Sequence, residues 1–122
     1  MDEAAQLSAA MLNKRLFVML RACLQPDRVR AHLAAHLRWM IGAERRGLIF
    51  ASGPFLAEGQ PMGAAGGMTI LRAANRDEAE AIARQDPFIA EGVYGFEIRE
   101  WRLMEGSFSV TVRYSEQSRV VY

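Results

Sequence analysis

By residue type and spacing, His36 and Asp86 are the two side chains of this chain most able to do chemistry together. Each falls on the apolar face of a predicted helix, where an imidazole or a carboxylate is costly to bury without a partner. Paired, the aspartate fixes the histidine tautomer and leaves the other ring nitrogen to move a proton. An elimination or isomerisation needs such a base near an acidic C–H or O–H, and donors for the developing oxyanion. Between the two residues runs a glycine-rich loop, from Ala51-Ser52-Gly53-Pro54-Phe55 to Gly66-Gly67. Its backbone N–H groups are candidate donors, because glycine admits close approach of a ligand. Ser52, Gly53, Pro54, Phe55, Gly66, Gly67 and Phe88 are the candidate substrate-binding positions. Ser52 is a hydrogen-bond donor, and Phe55 and Phe88 are walls of an apolar pocket. The plainer account makes Asp86 a helix-end carboxylate bonded to the loop after Pro87, and His36 a satisfied core histidine.

Other chemistries fit less well. His32 and His36 stand at i and i+4 on one helix, a spacing that can share a metal ion, but the third ligand would have to be Asp86 or Glu44. No metal and no cofactor is expected. The glycine-rich loop lacks a phosphate-binding lysine and the spacing of a dinucleotide fingerprint, and reads better as a flap between two strands. Arg72, Arg99 and Arg102 at strand ends are candidates to hold an anionic substrate, with pairing to surface acids the plainer account.

These residues need elements to place them. Leu16-Phe17-Val18-Met19-Leu20 reads as a strand covered on much of both faces. Pro26 and Asp27 open a helix running to about Arg46, with Gly47 as its stop. Val29, Leu33, Leu37 and Met40 form its buried stripe. At 100° per residue, His36 lies about 20° from Val29 and His32 about 60° away, while Trp39 on the other flank is a candidate to line a groove. Leu48-Ile49-Phe50-Ala51 and Met68-Thr69-Ile70-Leu71 are the next strands, on either side of the loop. Asn75 caps a second helix, with Glu78 in the reciprocal position of a capping box. Ala79, Ile82, Ala83 and Asp86 make its inner stripe, and Pro87 stops it. Val93 to Trp101 is a fourth strand, and Ser107 to Tyr114 alternates as a half-buried fifth. The order β-α-β-β-α-β is that of an α+β, ferredoxin-like unit with an antiparallel sheet. Both helices must cover one sheet face, and a second copy of the chain is the simplest cover for the other.

Composition limits the class. The 122 residues are 51% hydrophobic, enough for one domain with a real core. A net charge of +1 gives no electrostatic footprint for nucleic acid. The single cysteine, Cys23, fits a reducing compartment and reads as a small buried hydrophobe. Acids at the front of the first fifteen residues, with Lys14 and Arg15 at the back, reverse the charge order of a secretory signal. No apolar run approaches the roughly 20 residues that span a bilayer. A cytoplasmic homodimer acting on a small molecule, with no nucleic-acid or membrane partner, is the expectation.

The segment His36-Leu37, then Gly47-Leu48-Ile49-Phe50-Ala51-Ser52-Gly53-Pro54, Gly66-Gly67, Asp86-Pro87-Phe88, Gly92-Val93-Tyr94 and the strand ending at Trp101 resembles the YciI-like (YCII-related) family. The resemblance covers about residues 15–104, with an N-terminal extension 1–14 and an extra strand in 105–122 on a single domain 1–122. It implies a dimeric α+β barrel of ferredoxin-like subunits with a pocket in each, and a histidine–aspartate pair that maps onto His36 and Asp86. One member type is a dehydrochlorinase of a chlorinated hydroxyquinol, and muconolactone isomerases share the fold. By that analogy the chain is a lyase or isomerase without redox cofactor, acting on a hydroxylated ring, lactone or similar substrate. The alternative is a non-catalytic small-molecule-binding or assembly module, with the dyad as a structural bridge. Both extensions depart from the family pattern, and can extend a dimer interface or cover the pocket mouth.

Overall fold

Strand β1 (Lys14–Cys23) puts Phe17, Met19 and Arg21 on one face and Leu16, Val18 and Leu20 on the other, as the two-residue repeat of a strand requires. The computed structural model of the chain describes residues 2–115 and 118–121; of the domain read over 1–122, positions 1, 116, 117 and 122 lie outside the described residues. The chain divides into two compact units, Arg15–Arg102 and Met1–Lys14 with Leu103–Tyr122.

In the larger unit β1 lies inside a four-stranded sheet of order β2-β3-β1-β4, with β2 at Ile49–Pro54, β3 at Gly67–Leu71 and β4 at Tyr94–Leu103. β3 runs antiparallel to both β1 and β2. Opposite one another across β1 and β3 stand Phe17 and Leu71, Met19 and Thr69, and Arg21 and Gly67. β2 carries one extra residue between Ile49 and Ala51. Without it Ala51 would stand opposite Thr69; with it Ser52 takes that place.

Helix α2 (Val29–Arg45) is entered through a 3-10 turn, Pro26–Arg28, and α3 (Arg76–Arg84) follows β3. Ala43 of α2 and Ala79, Ile82 and Ala83 of α3 share one core with Phe17, Met19, Leu71 and Ile98, so both helices cover the same sheet face. Gly47, at φ +77°, ends α2, and the Leu48 N–H reaches back to the Ala43 carbonyl at 3.0 Å. Asn75 caps α3 by accepting the Glu78 N–H at 2.9 Å. Glu78 returns a bond not to Asn75, as a capping box would, but to the Ala74 N–H at 3.2 Å.

Two sequence expectations for α2 are corrected. Leu33 and Leu37 are not buried in the core: they are 40% and 48% exposed and line a cavity. Trp39 is not on the wall of that cavity and packs, partly buried, against the core cluster. The apolar arc of α2 is wider than its contact with the sheet. Its Trp39–Met40–Ala43 edge goes inward, and the Val29–Leu33–Leu37 edge faces an opening.

In the smaller unit α1 (Glu3–Ala10) is capped by Asp2, and the Leu12 N–H bonds the Met104 carbonyl at 3.1 Å. β5 (Val110–Arg113) pairs antiparallel with β6 (Ser118–Val121). All four residues of β5 are exposed, so the alternation of its valines does not mark a half-buried strand here. Among the described residues no helix is long and apolar enough to cross a membrane.

Candidate active site

His36 sits midway along α2 with 7% of its surface exposed, at the seam between the core-facing edge and the cavity-facing edge. Asp86 reaches it from a break in the chain. Proline cannot continue α3, so Asp86 takes an extended conformation (φ −61°, ψ 123°) and Pro87 opens a new single-turn helix, α4 (Pro87–Ala90). Pro87 therefore starts a helix rather than only stopping one. Asp86 is its cap, accepting the Phe88 N–H through Oδ1 at 3.0 Å.

The same Oδ1 lies 2.7 Å from His36 Nδ1. Since Oδ1 accepts the backbone N–H, Nδ1 is the donor, and the lone pair of the neutral ring is on Nε2. Phe88 stacks on the imidazole with centroids 4.1 Å apart and planes 16° from parallel. Tyr94 leans on Phe88 at 4.6 Å and donates its hydroxyl to the Gly63 carbonyl at 2.7 Å, tying the glycine-rich loop to the sheet. Burial pushes the Tyr94 phenol up to about 12, helped by Cys23 beside it and opposed by Arg21. The tyrosine is therefore a neutral donor at ordinary pH.

Arg21 is a charged side chain of this cavity that sequence reasoning missed. It is 8% exposed, on the same face of β1 as Phe17 and Met19, and donates a hydrogen bond from Nη1 to Thr69 Oγ1. Thr69 Oγ1 is in turn 2.7 Å from Ser52 Oγ. Burial pulls the guanidinium below its usual range, while the charge of Asp86 pulls it back up. Arginine keeps its proton throughout. Its signal in the sequence is the alternation Phe17, Met19, Arg21, which carries a cation onto the inner face.

These groups open onto one cavity of about 570 Å³, a size suited to a small organic ligand. His36, Phe88, Ser52, Gly53, Pro54 and Gly66 all line it, as the sequence reading has them. Asp86 stands behind His36 with no exposed surface. Two of the predicted substrate-binding residues are not on the wall. Phe55 is 43% exposed outside the lining, and Gly67 lies beneath Arg21, where a Cβ would come within 2.7 Å of Nη2. The Gly66 N–H, a candidate oxyanion donor, already bonds the Gly63 carbonyl at 3.2 Å. His32 lies apart from the dyad, its Nε2 3.3 Å from Arg28 Nη2. Arg72 is spent on the Gly47 and Ile49 carbonyls.

Residues 9–102 match the YCII-related domain. The chain belongs to the YCII-related family. Within that domain fall the dyad, the loop and Arg21. Among solved structures, this YCII-related chain is similar to a 5-chloro-2-hydroxyhydroquinone dehydrochlorinase, TftG, from Burkholderia phenoliruptrix AC1100, determined in complex with 2,5-dihydroxybenzoquinone. The two are 25% identical, with a TM-score of 0.57 over 70% of this chain and 92% of that one. Among curated proteins none matches the chain.

Proposed function

We propose that this YCII-related chain is a small-molecule enzyme, a lyase or isomerase that moves a proton without a redox cofactor. The observation that carries the reading is the imidazole held by Asp86 through Nδ1 while the ring lines a cavity of about 570 Å³. Nε2 then acts as the base, and Asp86 stabilises the imidazolium that forms. In an elimination such as dehydrochlorination, Nε2 takes a proton from a hydroxyl or ring carbon. For a chlorinated hydroxyquinol one hydroxyl proton first moves to the chlorine-bearing carbon, giving a ketone beside a saturated CHCl. When the base takes a second hydroxyl proton, its electron pair forms C=O, the ring double bond shifts toward the CHCl carbon, and the C–Cl bond breaks with its pair to release chloride and a hydroxyquinone. An isomerisation uses the same base and returns the proton to a different atom. Ser52 is the hydrogen-bond partner for a substrate oxygen. The similarity to the chlorohydroxyhydroquinone enzyme makes hydroxylated rings the first substrate class, with lactones next.

The strand order and the shared helix face support a ferredoxin-like subunit. Two such subunits meeting through their sheets make the dimeric α+β barrel that the reading includes.

The test is turnover of 5-chloro-2-hydroxyhydroquinone followed by chloride release, in wild type, His36→Gln and Asp86→Asn. The expected outcome is a fall of about 10²–10⁴-fold in kcat for His36→Gln with the fold intact. Full activity in that variant overturns the assignment. One observation favours a second reading. Asp86 Oδ1 also caps α4, so the pair can be a structural bridge in a ligand-binding module. In that case wild type binds ring ligands without converting them, and His36→Gln binds them equally well.

A further inference from the structure

We propose that Arg21 makes this cavity a site for small organic anions, its guanidinium receiving a carboxylate or an ionised enol or phenol oxygen while the ligand body lies toward His36. The inference rests on the reading of the cavity as a small-molecule site and names the charge class of what enters it.

A buried cation needs a counter-charge, and Arg21 lacks a close one. Among the described residues the guanidinium's only hydrogen bond is to the neutral hydroxyl of Thr69, and no carboxylate oxygen lies within 4.0 Å of it. Asp86 acts on it only at longer range and spends its Oδ1 on His36 and Phe88. An arginine that is 8% exposed and lines a cavity therefore has its remaining N–H groups open to that cavity, where a ligand can supply oxygens.

The surroundings are built to hold that cation in place. Gly67 stands opposite Arg21 on the neighbouring strand, and a side chain there would collide with Nη2 at 2.7 Å and with the Gly53 carbonyl at 2.9 Å. Thr69 fixes Nη1, and its own hydroxyl proton is then best directed away from the cation, to Ser52 Oγ at 2.7 Å. Ser52, accepting from Thr69, has its proton left to give to the cavity. The residue inserted in β2 puts Ser52 rather than Ala51 in this position. Arg21 and Ser52 are thus two donors on one wall, joined through Thr69. The wall formed by Val29, Leu33, Leu37 and Met40 is apolar and suits a ring. A charge-assisted bond from guanidinium to an oxyanion is the strongest contact this lining can offer.

The experiment compares benzoate with its neutral near-isostere benzamide by calorimetry. Wild type is expected to bind benzoate about tenfold more tightly or better. Arg21→Gln should remove the difference, and Arg21→Lys should keep part of it. A measurement on wild type alone covers the case in which the variants do not fold. In NMR titrations benzoate should move the Arg21 Nε–H and the Thr69 and Gly67 amides, and benzamide should not. Benzoate binding no tighter than benzamide, no benzoate binding at all, or shifts that leave those groups still overturns the proposal. The preference is read without any reaction. Unchanged turnover in His36→Gln would end the acid/base reading while leaving the anion result standing, and a missing preference would do the reverse.

Discussion

Asp86 Oδ1 receives both the His36 Nδ1 proton, at 2.7 Å, and the Phe88 amide proton, at 3.0 Å, while Oδ2 is buried with no hydrogen-bond partner. One oxygen therefore does two jobs, capping a one-turn helix and fixing the tautomer of His36. The ring is held from its edge by Asp86 and on its face by Phe88.

That arrangement predicts a single neutral tautomer for His36. Long-range ¹H–¹⁵N correlation spectra above the titration of the ring should show the proton on Nδ1 in wild type. Asp86→Ala should shift the population toward the Nε2–H form, which free imidazole prefers. It should also cost about 2–4 kcal/mol in urea unfolding, since it removes the cap and orphans Nδ1. A wild-type spectrum with the proton on Nε2 would contradict the reading of the dyad.

The glycines at the cavity floor should differ sharply in tolerance. At Gly66, φ is +78° and a Cβ would lie 2.1 Å from the Arg21 carbonyl oxygen, so Gly66→Ala forces backbone to move. At Gly67 the conflict includes the movable Arg21 Nη2 at 2.7 Å, but also the Gly53 carbonyl at 2.9 Å. At Gly53 nothing lies within 4 Å. Denaturant unfolding should rank the alanine variants Gly53, Gly67, Gly66 in rising cost. Gly67→Ala should lose about 1–3 kcal/mol, and Gly66→Ala more. Equal costs would mean that Arg21 does not lie where the packing puts it.

The dyad was legible in the sequence because both partners break an apolar periodicity, His36 on one helix and Asp86 before a proline on the next. The strands were legible for the same reason, apolar runs between turn residues. What periodicity could not separate was core from cavity wall. Leu33 and Leu37 are as apolar as Ala43, yet only Ala43 meets the sheet. Arg21 was overlooked because a cation at the end of an apolar run reads as the edge of a strand. Its place on the cavity wall depends on Gly67 lying opposite, a relation of register across 45 intervening positions. The inserted residue in β2 has no local signature, although it decides that Ser52 faces Thr69.

Tyr94 sets an alkaline limit on stability. Its phenol is held at about 12 in the fold, above its ordinary value of 10.0. The unfolded chain thus loses this proton first as pH rises. The contribution is complete below pH 10 and is lost between 10 and about 12, so unfolding should become easier across that window. Absorbance titration of the phenolate should show one late-ionising tyrosine in wild type that is absent in Tyr94→Phe. A wild-type curve with no late step would remove the burial argument.

The link from Arg21 through Thr69 to Ser52 predicts an unequal pair of variants. Thr69→Val keeps the shape of a buried side chain, 1% exposed, but takes from the Arg21 guanidinium its hydrogen bond to Thr69. The guanidinium then loses this partner on its buried side, and the loss should be about 1.5–3 kcal/mol, as for other hydrogen bonds to charged groups. Ser52→Ala removes a partner from Thr69 alone, at a more open position, and should cost about 0.5–1.5 kcal/mol. The two changes in one chain should cost less than their sum, because Thr69→Val has already broken the bond that Ser52→Ala removes. Chemical denaturation of the four proteins in the cycle measures the coupling directly. A coupling of zero would mean that Ser52 is set by its strand alone, and that the cation does not reach it through Thr69.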